Sequence, residues 1–115
     1  MPSDVRDLES VRWVRELGAA GPAREAAVAR LHDLLLRVAR GEAARRRNTL
    51  PERGLEELDD LCAQAAGDAT MAVLAKLADF RGEARFTTWA CKFVILEIST
   101  RLRNAHMPAG WPASR

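Results

Sequence analysis

Apolar residues recur at three- and four-residue steps along three long stretches of this chain, a spacing that puts them on one face of a helix. Val28, Leu31, Leu35 and Val38 mark a helix over 22–47. Leu58, Leu61, Ala65, Ala69, Val73, Leu77 and Phe80 mark another over 55–80. Phe86, Trp89, Phe93, Val94, Leu96, Ile98 and Leu102 mark a third over 86–104. The last set covers more than one face, so that helix is expected to sit centrally. A shorter helix over 5–17 takes Val5, Leu8, Val11 or Trp13, and Leu17 as its apolar positions. Alanine and leucine dominate, tyrosine is absent and β-branched residues are sparse, which favours helix over strand. The expected fold is all-α: a small bundle of three long helices plus a short N-terminal one. With 115 residues, the chain suffices for one modest core.

The breaks between helices are legible. Gly18-Ala-Ala-Gly21-Pro22 stops the first helix, and Pro22 suits the first turn of the second. Asn48–Gly54 reads as a loop and Arg81–Arg85 as a shorter polar one. Gly67 interrupts the third helix at a cost of roughly 1 kcal/mol relative to alanine, so a kink there is weighed against one continuous helix, and continuity is preferred. From residue 105 on there is no periodicity and there are two prolines, so the tail is expected to be disordered. The organisation expected is a short helix and linker over 1–21, a helical domain over 22–104 and a tail over 105–115.

Net charge is +2, and its distribution says more than its size. Arg37, Arg40, Arg45, Arg46 and Arg47 stand against Glu42 near the end of the second helix, where cations suit the negative end of the helix dipole. Glu56, Glu57, Asp59 and Asp60 open the third helix. The N-terminal residues carry acids without an apolar run, and no apolar stretch approaches the ~20 residues that span a bilayer. Cys62 and Cys91 lack a Cys-x-x-Cys partner and fall on expected buried faces, so both read as free thiols. A cytoplasmic chain without membrane contact is expected.

Catalytic chemistry finds little support. His32 and His106 have no metal-ligand spacing around them, and Gly18 and Gly21 lack the strand that a phosphate loop follows. The acid cluster at 56–60 reads as a solvated helix start rather than as paired catalytic acids. A non-enzyme without cofactor or metal is expected. The richest segment is Asp79-Phe-Arg-Gly-Glu-Ala-Arg-Phe-Thr-Thr-Trp89, a polar loop with two arginines bracketed by Phe80, Phe86 and Trp89. Arginines attract phosphates and aromatic rings stack on unpaired bases. Taken alone, these residues fit packed aromatics with solvated arginines more readily than a nucleic-acid site.

Two motifs carry a resemblance. Phe80-Arg-Gly-Glu-Ala-Arg-Phe-Thr-Thr-Trp89, followed by a helix ending Arg101-Leu-Arg103, resembles the end of region 2 in extracytoplasmic-function sigma factors of the bacterial sigma-70 family. Leu58-Asp59-Asp60-Leu61 followed by Gln64 resembles the acidic start of the clamp-binding helix of the same domain. The likeness spans about residues 24–103. It implies a domain that binds RNA polymerase core and recognises and melts the promoter minus-ten element. By that implication Glu57, Asp59, Asp60, Leu61 and Gln64 meet the β′ clamp coiled-coil. Arg81, Gly82, Arg85, Phe86, Trp89, Lys92, Arg101 and Arg103 meet the minus-ten non-template strand. An anti-sigma factor is a further partner, and the place of work is the nucleoid.

The chain departs from the family pattern in three ways. The stretch from Asp60 to Phe80 is about one helical turn longer than the commonest form. Ile95-Leu96 stands where many members have a polar Arg-Asn pair. The helix-turn-helix that reads the minus-thirty-five element does not follow Arg103, so a fragment, a truncated product or a stand-alone region 2 is expected. These departures keep a second reading open, a protein-interaction module binding polymerase or an anti-sigma factor without promoter activity. A third is a helical structural domain with no nucleic-acid role.

Overall fold

The computed structural model describes residues 7–46 and 55–105. Four helices follow one another: α1 (Leu8–Leu17), α2 (Pro22–Arg45), α3 (Leu55–Ala75) and α4 (Phe86–Ala105), with a single 3-10 turn at Leu77–Asp79 before the last. No strand occurs among the described residues, and the fold is an all-α bundle. Val5, Arg47, the loop at Asn48–Gly54, His106 and the tail beyond it lie outside the described residues.

α3 packs along both α2 and α4, and α2 also meets α4, so the three long helices enclose one core; α1 lies against α2 and α4. Leu31, Leu35 and Ala39 from α2, Ala65, Ala69 and Val73 from α3, and Ala90, Val94 and Ile98 from α4 are fully buried. Much of this core is alanine, which lets helix axes approach closely. α4 touches every other helix, and so does α2, so α4 is not singled out as the central helix its apolar pattern predicts. α3 runs through Gly67 without interruption, and the space where a Cβ would stand there is empty. It stops sooner than its periodicity predicts. Lys76 leaves helical geometry, the 3-10 turn follows, and Phe80 is extended.

α1 buries Leu17 and, of the two alternatives, Trp13, as expected, but not Leu8, and it adds the polar Ser10 to that face. Ser10, Trp13 and Leu17 are buried, whereas Leu8 is 83% exposed and Val11 is exposed as well. In a ten-residue helix two apolar stripes compete, and the partner across the interface decides between them. Glu16 accepts from Arg12 (2.9 Å) on its own helix and from Arg30 (2.8 Å) on α2, while the Arg30 guanidinium lies 4.9 Å above the Trp13 ring. Arg24 of α2 donates to the Leu17 carbonyl (3.2 Å), covering one of the open carbonyls at the end of α1. Between them Gly21 adopts φ 71°, a conformation glycine takes without steric cost. The N-terminal helix is therefore part of the core rather than a segment beside it.

Candidate nucleic-acid interface

The segment at 80–89 is anchored by rings. Phe86 is fully buried, stacked on Trp13 (centroids 5.3 Å, 20° between planes) and met edge-on by Phe80 at 5.5 Å. Trp89 lies 5.7 Å from Phe86, 5.1 Å from Phe80 and 5.0 Å from Phe93. Phe80, Trp89 and Phe93 are half-buried. Phe86 is thus a core residue whose ring cannot reach a strand, which corrects its expected contact role. The ring's apolar bulk is buried because it fills the junction of α1 and α4. Trp89 keeps part of its surface accessible.

The loop between Phe80 and Phe86 carries the expected cations outward. Arg81 and Arg85 are exposed, and Gly82 turns the backbone with φ 78°. The start of α4 is held from a distant part of the sequence. The Phe86 N–H donates to Ser10 Oγ (2.8 Å), and the Ser10 hydroxyl donates to Asp7 Oδ2 (2.5 Å). Asp7 also caps α1 by accepting from the Glu9 N–H (3.2 Å). The Ser10 hydrogen bond foremost, helped by the backbone N–H groups of Ser10 and Glu9 and by the positive charge of Arg85, holds the Asp7 carboxyl below its ordinary range. A groove of about 360 Å³ lies between α1 and the loop, lined by Val11, Val14, Arg15, Phe80, Arg81 and Gly82 along with Ser10.

Farther along α4 the expected residues part company. Lys92 and Arg103 are exposed. Arg101 is engaged by Glu97 on its own helix and by Asp68 on α3. Its side chain is only 22% exposed, so it ties α4 to α3 and is not presented to a phosphate as the resemblance implies. Leu96, 66% exposed, and Ile95 put apolar surface between Lys92 and Arg103.

The acidic face opens α3. Glu57, Asp59, Asp60 and Gln64 are exposed and Leu61 is half-buried against the core. Asp59 accepts from Arg40 Nε (3.1 Å), an ion pair with both side chains more than half exposed. Such a pair is worth about 0–1 kcal/mol and exchanges partners easily. The acidic residues stand on α3 and the cations on the loop and α4; Asp59 pairs with Arg40 of α2 and Arg101 with Asp68, so neither of these ion pairs joins the two sets.

The two thiols take no part in the hydrogen bonds and ion pairs described for either face. Cys62 is buried and Cys91 half-buried, and burial, aided at Cys62 by the nearby Asp59 charge, raises both above the ordinary thiol range. Among the described residues no group of His, Cys, Asp and Glu side chains gathers as a metal would require, and no helix is long and apolar enough to cross a membrane.

Ser10, Asp7 and Trp13 were not among the residues expected at this interface. The Asp7-x-x-Ser10 spacing signals a helix start. Nothing local signals that Ser10 would serve a helix 76 residues later. Set against protein-family models, curated proteins and solved structures, the chain matches none.

Proposed function

We propose that this chain acts as a sigma-factor region 2-like domain, binding RNA polymerase core and engaging the melted minus-ten element. One observation carries the reading: an aromatic-anchored loop that presents Arg81 and Arg85 to solvent beside the accessible part of Trp89. Opening a duplex exposes bases that need a stacking surface and a strand that needs counter-charge. On this reading Arg81, Arg85, Lys92 and Arg103 hold phosphates, Trp89 offers its open edge to a base, and Phe86 fixes the loop from below. Glu57, Asp60 and Gln64 face the basic clamp coiled-coil, with Leu61 partly buried beneath them. Asp59 joins them by releasing Arg40. The domain needs no cofactor, performs no catalysis and works in the cytoplasm at the nucleoid.

The test is fluorescence anisotropy of a promoter non-template oligonucleotide across a salt series. Wild type should bind with a salt slope that falls by roughly 0.7 for each phosphate contact removed, so Arg85→Ala should bind more weakly and with a shallower slope. Identical slopes and affinities would refute the strand contact. For the acidic face, Asp60→Lys should abolish co-purification with polymerase, and undiminished recovery would refute the clamp assignment.

A second reading is favoured by the exposed Ile95 and Leu96 and by the engagement of Arg101 with Asp68 and Glu97. Both reduce the cationic surface of α4 and add apolar surface, as suits a module that binds polymerase or an anti-sigma factor without contacting DNA. Polymerase recovery together with salt-independent, negligible oligonucleotide binding would select it.

A further inference from the structure

We infer that the N-terminal helix positions the 81–85 loop: Ser10, seated on Asp7, is a positioning residue that sets the start of α4 and with it the presentation of Arg85. For its consequence on ligand binding this rests on the function proposed above. Its structural half does not.

The first N–H groups of a helix have no partner within the helix. α4 begins at Phe86 immediately after the loop, and its first N–H is buried with the Phe86 ring. A local N-cap side chain would ordinarily accept from such a group. Here the acceptor is Ser10 Oγ at 2.8 Å, supplied by α1. Ser10 is itself 6% exposed, so no water replaces it cheaply. Its own proton is committed to Asp7 Oδ2, which orients the oxygen lone pairs toward Phe86. The same carboxylate feels the charge of Arg85, the last loop residue. The stacking of Trp13 on Phe86 closes the junction from the side. α1 thus meets the first residue of α4 through a hydrogen bond and a ring, and the last residue of the loop through a charge. Displacing α1 would remove all three together, whereas α2, α3 and α4 also pack against one another through contacts that do not involve α1.

The experiment is amide hydrogen exchange on the full chain, read at Phe86 and across 81–85 against α2 and α3. Ser10→Ala should speed exchange there by roughly tenfold, the scale of one lost hydrogen bond of ordinary net strength, with α2 and α3 unchanged. Ser10→Thr, which keeps the hydroxyl, should restore protection. Asp7→Ala, at a half-buried position one hydrogen bond removed from Phe86, should raise exchange at the same amides by a smaller factor and serves if Ser10→Ala fails to fold. Unchanged exchange at 81–86 in these variants, or acceleration spread evenly over all helices, would overturn the inference. In parallel, oligonucleotide affinity should fall several-fold in Ser10→Ala and recover in Ser10→Thr. Wild type that fails to bind refutes the proposed function and leaves the exchange result to decide the positioning role. Wild type that binds while Ser10→Ala binds equally well refutes the consequence for binding.

Discussion

The α1–α4 junction and the α2–α3 flank are packed with different materials. At the junction the packing is aromatic: Trp13, Phe80, Phe86, Trp89 and Phe93 form one continuous run of ring contacts. Along the flank it is dominated by alanine, with Ala27, Ala39, Ala43, Ala65, Ala66 and Ala69 all buried. Alanines let long helices lie close over many turns and leave little room for larger side chains. Rings fix a loop by shape and orientation, because offset and edge-on contacts favour particular angles. The aromatics of the described residues thus gather where a polar segment must be held in place.

The largest effect expected is truncation at the junction. Phe86→Ala should destabilise by about 3–5 kcal/mol in urea unfolding, because it removes a fully buried ring and leaves a cavity. Trp89→Ala, at a half-buried ring, should cost less. Equal costs would mean that the junction is not organised around Phe86. On the alanine flank the damage should come from growth. Ala69→Leu should cost about 1–3 kcal/mol by overpacking, and a neutral result would reveal slack that the close helix contacts deny.

Gly67→Ala should act in the opposite direction. α3 is continuous there and the Cβ position is empty, so the substitution should stabilise by roughly 0.5–1 kcal/mol. A loss would show that the glycine serves a contact or a bend.

The α1 junction should also respond to acid. The Asp7 and Glu16 carboxyls are lowered from 3.8 and 4.5, Asp7 chiefly by the Ser10 hydrogen bond and Glu16 by those from Arg30 and Arg12. A lowered carboxyl stabilises the fold fully above its unfolded value and loses that contribution as pH falls through its folded value. Thermal melts should therefore be flat with respect to these groups above about pH 5 and decline below it. Glu16→Gln should flatten part of that decline, and an unchanged acid limb would remove Glu16 from the account.

The smallest effects on stability belong to the proposed contact residues. Asp60→Lys and Arg85→Ala should shift unfolding by less than about 0.5 kcal/mol, since both side chains are exposed. Any loss of binding in these variants then reports on the interface. A larger shift would make them structural residues of the two regions being compared.

Periodicity located the long helices within a few residues at each end because their inward stripes persist over several turns. It overran the end of α3, where Leu77 and Phe80 keep helical spacing but lie in a 3-10 turn and an extended residue. For α1 it found Leu17, left Val11 and Trp13 as alternatives of which Trp13 is the buried one, wrongly included Leu8, and missed Ser10. A polar residue at the heart of an interface has no signature in a hydrophobic pattern. At the candidate site, the exposure of Arg81, Arg85, Lys92 and Arg103 follows from their charge. The withdrawal of Arg101 and the burial of Phe86 do not, because each depends on what stands opposite in space: Asp68 on α3 and Trp13 on α1.

By itself the amino-acid sequence determined an all-helical chain, its breaks and the cationic character of the 81–85 loop, since spacing, glycine, proline and charge act over a turn or less. Only the tertiary structure decided that α1 belongs to the core, that Ser10 completes the first turn of α4 and that Arg101 is tied to Asp68. Those outcomes depend on groups 76 and 33 residues apart meeting at hydrogen-bonding distance, and no local pattern encodes which distant partner a buried N–H or a guanidinium will find.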